Sequence, residues 1–426
     1  MAIVAGSWAL VLHNIYARRE DNMAGTLRPR WGQPLTGIIS NVVFFLVAML
    51  TWYLFSDPRG PVGWFPYPFV LFLAIMILVG LWQHMFLGDW PFQNMKQPAR
   101  GIVETIVNVV VTWFVIDVIF YRILGIGFNF LSYYGLEAAG SKGALAQAAI
   151  VGFVLMGFYL YPVVTIFFGK WPIRPSNLEQ PAAGFAEIGW ATLFEIFGYV
   201  ILIVPFFGFA LKGAPALGTS WWTGIAGTPH VHWVFGWWEW AVITLFMFPN
   251  VWRMKPFGLI KLPQPAKGFV YMALSFVFAY CLALICIRIA PLWLPPDTIH
   301  HLFETKGAGE VSRFLWLHSA EIAGMTLIPF LAWHHYFDDR CGVKDVDSWA
   351  GFWIRTFGVL FFAAILYWIY YYGNFGHWAL GNHHMTELSH RFPHGESLVW
   401  NFWWIVPLLW NEWFFHKWPF YVHDEH

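Results

Sequence analysis

The sequence predicts an all-α, polytopic membrane protein of about ten transmembrane helices built from five helical-hairpin repeats. Of its 426 residues, 58% are hydrophobic and only 11% are charged, too few to cover a water-soluble protein of this length. The 29 Trp and 17 Tyr are typical of aromatic rings that collect at the headgroup level of a lipid bilayer. The third observation is a short motif that recurs along the chain.

The recurring motif is Gln-Pro-x-x-Gly, and each copy opens a long apolar run. Four copies and a degenerate fifth, Asp347-Ser348-Trp349-Ala350-Gly351, place their glycines at Gly37, Gly101, Gly184, Gly268 and Gly351. These glycines are 64, 83, 84 and 83 residues apart, and such a spacing indicates a repeated supersecondary unit. Because Pro in the first turn of a helix loses no hydrogen bond, each motif predicts the start of a new helix.

The motifs and apolar runs together predict ten membrane spans. Their ranges are 37–56, 67–88, 101–125, 146–168, 184–210, 233–254, 268–290, 313–335, 351–373 and 397–416. Residues 1–36 are predicted to be a cytoplasmic or interfacial N-terminal segment, and 37–426 a single membrane domain. The apolar stretch 2–16 is short of the roughly 20 residues that span a bilayer. We expect it to be an interfacial helix, with an eleventh span as the alternative.

Charge distribution predicts the orientation. The connections that carry the motifs hold fifteen Lys and Arg residues, against five on the other side: Arg59, Lys142, Lys212, Lys306 and Arg391. The positive-inside rule places the motifs and the C-terminus in the cytoplasm. Lys+Arg and Asp+Glu balance at 24 each, and the chain has no basic run. The predicted partners are therefore the bilayer and other membrane or periplasmic subunits, or further copies of the chain, and not nucleic acid.

Histidine is concentrated in the predicted outward loops and suggests a metal site. Nine of the 17 His lie in the last three outward loops, and imidazole with carboxylate is the ligand set of copper, iron and zinc. If the densest segment is helical, His383 and Glu387 share a face, as do Glu387 and His390. The ligands predicted in this segment are His383, His384, Glu387 and His390. Five residues are predicted as additional ligands: His230, His232, His318, Glu321 and Glu239.

Carboxylates inside the predicted spans are costly in hydrocarbon and mark functional positions. Asp117 and Glu195 lie near mid-span, although Asp117 could simply pair with Arg122. Glu239 and Glu321 lie 29 and 30 residues before the next motif glycine, so they occupy equivalent places in the repeat. A further polar set occurs at the ends of the second helices of the hairpins: His84, His334 and Glu412.

Three classes of function agree with these patterns. The first is a membrane-embedded, metal-dependent oxidoreductase, or a metal-binding subunit of one, acting at the outer interface on a hydrophobic or small substrate. The second is a transporter or channel that uses the intramembrane carboxylates; repeats that all run in the same sense differ from the inverted repeats of many transporters. The third is a non-catalytic subunit of a larger membrane complex. The sequence has no recognisable nucleotide-binding motif, which argues against nucleotide hydrolysis.

Overall fold

The computed structural model of the chain is all-α, as predicted from the sequence. It describes twelve stretches of the chain, and the structural statements below concern these residues: 27–56, 60–61, 69–124, 127–128, 141–142, 144–174, 178–198, 230–294, 296–339, 347–373, 375 and 396–423. The predicted interfacial helix at 2–16 lies outside them.

Eleven α-helices lie within the described residues. In chain order they are α1 (Leu35–Thr51), α2 (Phe69–Leu81), α3 (Ala99–Trp113), α4 (Ala144–Ile166), α5 (Ala182–Gly198), α6 (His230–Asn250), α7 (Ala266–Ile289), α8 (Pro296–Lys306), α9 (Ala308–Tyr336), α10 (Trp349–Tyr371) and α11 (Glu396–Trp413). Short π-helical segments continue α1, α2 and α3 at Trp52–Ser56, Trp82–Phe86 and Phe114–Ile123, and 3-10 turns occupy Phe257–Leu259 and Ala290–Leu292.

Four short strands complete the described elements. They are β1 (Leu27–Pro29), β2 (Gly127–Phe128), β3 (Ser141–Lys142) and β4 (Tyr421–His423). Strand β2 pairs antiparallel with β3. Strand β1 pairs antiparallel with β4, so that Leu27 lies opposite His423. The segment that precedes α1 is therefore held against the segment that follows α11.

Each of the ten predicted spans contains a helix, and five helical segments are long and apolar enough to cross a membrane. These five are Leu35–Phe55, Ala99–Ile123, Ala266–Leu292, Phe314–Tyr336 and Trp349–Tyr371; the apolar segments Phe72–Phe86 and Met156–Ile166 are shorter. Length and composition make this a membrane protein. The helices after the motifs begin two residues before the motif glycines, so the predicted boundaries are slightly late.

Helix contacts divide ten of the helices into two groups. The inner helices are α2, α4, α6, α9 and α11, and they contact one another in this order, with α11 returning to α2. The outer helices are α1, α3, α5, α7 and α10. Each outer helix packs on the inner helix before it in the chain, and α1 packs on α11. Because α11 contacts α2 and α1, the circuit of helices closes on itself.

Burial follows this division. The segment Phe314–Tyr336 of inner helix α9 is 78% buried, whereas the four outer segments are 22–33% buried. Each outer helix carries large apolar side chains that are 57–63% exposed, for example Leu46, Ile106, Phe197, Val277 and Phe357. Contact between water and an apolar surface of this extent is unfavourable. The outer helices therefore present a surface suited to lipid, and the inner helices form the core.

The motif glutamine joins the start of an outer helix to the end of an inner helix. Its Nε2 donates to a backbone carbonyl, and its Oε1 accepts from the motif glycine N–H at 3.2–3.3 Å. The carbonyl acceptors of Gln33, Gln97, Gln180 and Gln264 are Tyr336, Phe414, Phe86 and Phe167, at 2.7–2.8 Å. The sequence interpretation as a helix start is correct, and the side chain also connects two helices.

The degenerate fifth motif uses different side chains at the same place. Ser348 is the N-cap of α10 and its hydroxyl accepts from the Gly351 N–H at 3.0 Å, as serine does at helix starts. The link to an inner helix is made by Arg355, which is 1% exposed and donates from Nε to the Val251 carbonyl at 2.7 Å.

All five inner helices end in the same turn. The carbonyl groups that accept from the motif glutamines and from Arg355 mark these ends. Three residues after each of them the backbone takes a left-handed conformation with φ of 53–63°, at Asp89, Lys170, Met254, Asp339 and Lys417. The N–H of each of these residues donates to the carbonyl six residues earlier, at 2.6–3.2 Å. Aspartate, lysine and methionine all occur at this left-handed position. The shared turn therefore does not depend on one type of side chain.

Candidate functional site

A polar cluster that is largely buried joins α9 to α10, and we call it the His318 cluster: His318, Glu321, Tyr367 and Tyr371. His318 and Glu321 are three residues apart and so share one face of α9, with Nδ1 and Oε2 3.0 Å apart. Tyr371 donates its hydroxyl to the same Oε2 at 2.6 Å. The other ring nitrogen of His318, Nε2, lies 2.6 Å from the Tyr367 hydroxyl.

Neighbouring rings exclude water from the inner part of the cluster. His318 is 0% exposed and Glu321 is 1% exposed, and the Phe314 ring stacks on the imidazole with centroids 5.6 Å apart. A carboxylate in such surroundings must be compensated by a proton, a cation or hydrogen bonds. Here the imidazole and the Tyr371 hydroxyl supply that compensation.

The outer part of the cluster reaches the protein surface. Tyr367 is half-buried, and its hydroxyl accepts from the indole N–H of Trp293 at 3.1 Å. Trp293 is 38% exposed and lies just after α7, at the end opposite the motifs. Carboxylate, imidazole and phenol can each accept and release a proton. Glu321, His318 and Tyr367 therefore form a continuous hydrogen-bonded chain from the core to a partly accessible side chain.

The other predicted additional ligands do not join this cluster within the described residues. Glu239 lies on α6, which packs against α9, but it is half-buried and no described hydrogen bond or ion pair links it to Glu321 or His318. His230 and His232 lie in the first turn of α6, and their side chains are outside the described set. Glu239 and Glu321 occupy equivalent places in the sequence repeat, but no described hydrogen bond joins their side chains.

The metal site predicted in the last outward loop stays a prediction. His383, His384, Glu387 and His390 lie outside the described residues. Where the structure does describe side chains, no group of three or more His, Cys, Asp or Glu is arranged to hold a metal ion. A metal ion bound by His318 would displace one of its hydrogen bonds, because both ring nitrogens are engaged.

The two mid-span acids differ from each other. Asp117 is fully buried and its Oδ2 lies 2.9 Å from Arg122 Nη2, so the expected ion pair is present. Glu195 is also fully buried, on α5, where Tyr161 of α4 is a side-chain hydrogen-bond partner. Of the two acids, only Asp117 has a described ion pair with a Lys or Arg side chain.

Sequence reasoning missed the two tyrosines of the His318 cluster. Tyr367 and Tyr371 are four residues apart on α10 and so lie on one face. That spacing is a usable signal, but the run Tyr370-Tyr371-Tyr372 conceals it because tyrosine is also abundant at membrane interfaces. Only the packing of α10 on α9 identifies which of the rings face the imidazole.

A second polar network lies at the motif-bearing ends of the helices and includes the predicted helix-end residue His84. Its centre is Asp89, which is 6% exposed. Arg100 Nη2 lies 2.6 Å and His84 Nδ1 3.0 Å from the Asp89 carboxylate, and His416 Nε2 lies 3.5 Å away. Burial raises the pKa of Asp89, but the interactions with His416, His84 and Arg100 outweigh burial and lower the pKa to about 2.

The depressed pKa of Asp89 predicts a pH-dependent stability. A carboxyl group with a folded-state pKa below its unfolded-state value stabilises the fold above the unfolded value, and the contribution disappears as pH falls through the folded value. We expect Asp89→Asn to lower the free energy of unfolding at pH 7 by about 2 kcal/mol. The difference from the wild type should shrink below about pH 4 and disappear only once the pH is below the folded pKa of about 2.

Thermal unfolding in detergent at a series of pH values measures this difference. Glu179→Gln is the matched control, because Glu179 is exposed in a connection on the same side of the protein. A gap between the Asp89→Asn variant and the wild type that stays constant from pH 7 to pH 3 would show that the network does not hold Asp89 ionised.

Comparison of the chain with protein-family models, with curated protein sequences and with solved structures finds no match. The class of the protein therefore rests on its own helices, and its function on the chemistry of its own clusters.

Proposed function

We propose that all ten outer and inner helices cross the membrane as five hairpins closed into a ring. The pairing of β1 with β4 supports this arrangement, because two hydrogen-bonded strands lie on the same side of a bilayer. The chain between Pro29 and Tyr421 must then cross an even number of times. Five long apolar segments are an odd number, so if all five cross, at least one shorter helix must cross as well.

The motif contacts support a cyclic order of the hairpins. Each outer helix docks on the end of the inner helix two hairpins earlier: α5 on α2, α7 on α4 and α10 on α6. If this step of two hairpins continues around a ring of five, α1 should dock on the end of α9 and α3 on the end of α11. Both contacts are present. A linear array of repeats would leave α1 and α3 without such partners.

The orientation proposed for this ring follows the charge bias of the connections. With fifteen Lys and Arg on the motif side against five opposite, the motifs and the C-terminus face the cytoplasm. The His318 cluster then lies toward the outer face, because His318 is 18 residues, about 27 Å of helix, before the end of α9.

For the activity, we propose that the protein moves protons through the membrane, alone or together with a second solute. The single observation that carries this proposal is the hydrogen-bonded chain from buried Glu321 through His318 to Tyr367. Ionisable side chains inside a membrane are expensive and are retained where ions or protons pass. Parallel repeats about an axis along the membrane normal also occur among transporters.

A metal-dependent oxidoreductase is the second candidate, and one observation favours it. His318 and Glu321 lie toward the end of α9 that follows α8, where exposed His300 and Glu304 approach to 3.3 Å. Imidazole and carboxylate are therefore gathered near the end of α10, and the predicted ligands His383, His384, Glu387 and His390 follow α10 in the chain. Iron or copper bound in a fixed ratio to the purified chain would favour this candidate.

Proton flux into proteoliposomes tests the first proposal. The purified chain is reconstituted with a pH-sensitive dye inside the vesicles, and a potassium diffusion potential drives protons inward. We expect acidification faster than in protein-free vesicles of the same lipid. Equal rates in the two preparations, with and without added solutes, would contradict proton translocation.

A further inference from the structure

The connection between α6 and α7 carries positive charge and no acid. Residues 251–267 contain one Arg, three Lys and neither Asp nor Glu. The other three connections that lead from an inner helix to a motif each include at least one acid, for example Asp89, Glu179 and Asp347. The α6–α7 connection therefore has no carboxylate of its own to pair with its cations.

Three of these four cations have no acidic partner elsewhere in the described structure. Arg253 Nη2 lies 2.8 Å from the Asp339 carboxylate. No described carboxylate lies within ion-pair distance of the other three, Lys255, Lys261 and Lys267. We call these three side chains the lysine surface. Lys261 is exposed, and the other two are half-buried.

Aromatic rings hold two of the lysines in place. Lys255 Nζ lies 5.5 Å from the ring centroid of Trp349 at the start of α10, and Lys267 Nζ lies 5.4 Å from that of Tyr271 on α7. The Tyr271 hydroxyl donates to the Phe257 carbonyl at 2.7 Å, within the 3-10 turn of the connection. The rings attract the ammonium groups but carry no net charge that would neutralise them. The lysine surface thus lies at the starts of α7 and α10 and keeps its charge available for an anion.

An apolar gap between α7 and α10 leads from the lysine surface along the two helices. The helices have no extensive contact with each other among the described residues, and Trp252, just after α6, lies between them. Its ring centroid is 5.2 Å from that of Phe278 on α7 and 5.8 Å from that of Phe352 on α10. The indole N–H donates to Thr356 Oγ1 of α10 at 2.9 Å. Trp252 is buried and forms the floor of the gap.

Large apolar side chains border the lysine surface and the gap. Six of them are 38–77% exposed: Leu259, Leu262, Phe269, Phe278, Trp349 and Trp353. Aromatic and aliphatic side chains next to lysines suit the boundary between lipid headgroups and acyl chains. A ligand that satisfies the whole surface needs an anionic head and an apolar body. Free phosphate or an acidic peptide would leave the apolar side chains uncovered.

We infer that the lysine surface binds the headgroup phosphate of one anionic phospholipid, whose acyl chains lie in the gap between α7 and α10. Charge complementarity selects this occupant. In the proposed orientation the lysines face the cytoplasmic leaflet, which carries anionic lipids. The inference goes beyond proton translocation and does not require it, because lipid binding is measured without a proton gradient.

Native mass spectrometry of the delipidated full-length protein in detergent tests this inference. The probes are phosphatidylglycerol and phosphatidylcholine with identical acyl chains, added at equal concentration. We expect one phosphatidylglycerol per chain to be retained with an affinity at least about tenfold above that for phosphatidylcholine. A triple variant, Lys255→Gln with Lys261→Gln and Lys267→Gln, should lose this preference, because glutamine removes the charge and keeps a polar side chain of similar length.

The matched control removes three positive charges from other segments on the motif-bearing side. It combines Arg30→Gln, Lys96→Gln and Arg174→Gln, and all three residues are exposed. This control should retain phosphatidylglycerol as the wild type does. Glycerol 1-phosphate and an oligoglutamate peptide, added as competitors, should displace little of the lipid.

Four outcomes would overturn the inference. The first two are equal retention of both lipids by the wild type, and an unchanged preference in a triple variant that elutes as the wild type does in size exclusion. Displacement of the lipid by an equal concentration of glycerol 1-phosphate would show that the surface takes phosphate without acyl chains. Displacement by the oligoglutamate peptide would assign the surface to an acidic segment of a protein instead.

Discussion

Vesicles that contain Glu321→Gln should show proton flux no faster than protein-free vesicles, a reduction of at least about tenfold from the wild type. Glutamine retains the size of Glu321 and can still hydrogen-bond to Tyr371, but it cannot take up and release a proton. The hydrogen-bonded chain through His318 would then end at a group that does not ionise.

The matched control for this variant is Glu304→Gln on α8. Glu304 is 62% exposed, so its replacement removes a carboxyl from the same side of the protein without touching the His318 cluster. Tyr367→Phe removes the outermost hydroxyl of the chain and should slow the flux as well. Unchanged flux in a well-folded Glu321→Gln protein would refute the role given to the cluster.

A loss of stability is expected from Gly37→Ala. A Cβ atom at Gly37 would lie 2.6 Å from the Phe337 ring and 2.8 Å from the Tyr336 carbonyl oxygen, which also accepts the hydrogen bond of Gln33. A backbone atom cannot move aside as a side chain does, so α1 must shift away from α9. Overpacking of this kind costs about 1–3 kcal/mol.

Gly189→Ala is the control for the packing effect. Gly189 lies within α5, where an added Cβ meets nothing within 4 Å, and alanine is favoured over glycine in a helix by up to about 1 kcal/mol. Thermal unfolding in detergent should therefore show a lower midpoint for Gly37→Ala and an equal or higher one for Gly189→Ala. A Gly37→Ala protein as stable as the wild type would mean that the motif glycine is not needed for close docking.

Composition and the motif together predicted much of the fold. Long apolar runs predict helices because the backbone must satisfy its own hydrogen bonds in lipid, and the motif glycines located the helix starts to within two residues. The carbonyl group to which each motif glutamine donates was not predictable from the sequence, since Gln33 and its acceptor Tyr336 are 303 residues apart. Spacing along the chain carries no information on such distant pairings.

The candidate site was predicted only in part. His318 and Glu321 were identified because their spacing places them on one helix face, and this local rule holds in the structure. Their tyrosine partners come from another helix, and Glu239 was grouped with them only by its distance from a motif. A period of about 83 residues defines equivalent positions in the sequence, but residues at equivalent positions lie on different helices and need not contact each other.

The topology of the ring is tested most directly by cysteine accessibility in intact cells. In a variant free of native cysteines, single cysteines replace Met95 and Lys261 in connections and Thr305 near the end of α8, all exposed. The account predicts that an impermeant thiol reagent added outside labels Thr305→Cys, and labels Met95→Cys and Lys261→Cys only after lysis. Labelling of Met95→Cys or Lys261→Cys together with Thr305→Cys from outside would contradict the five antiparallel hairpins.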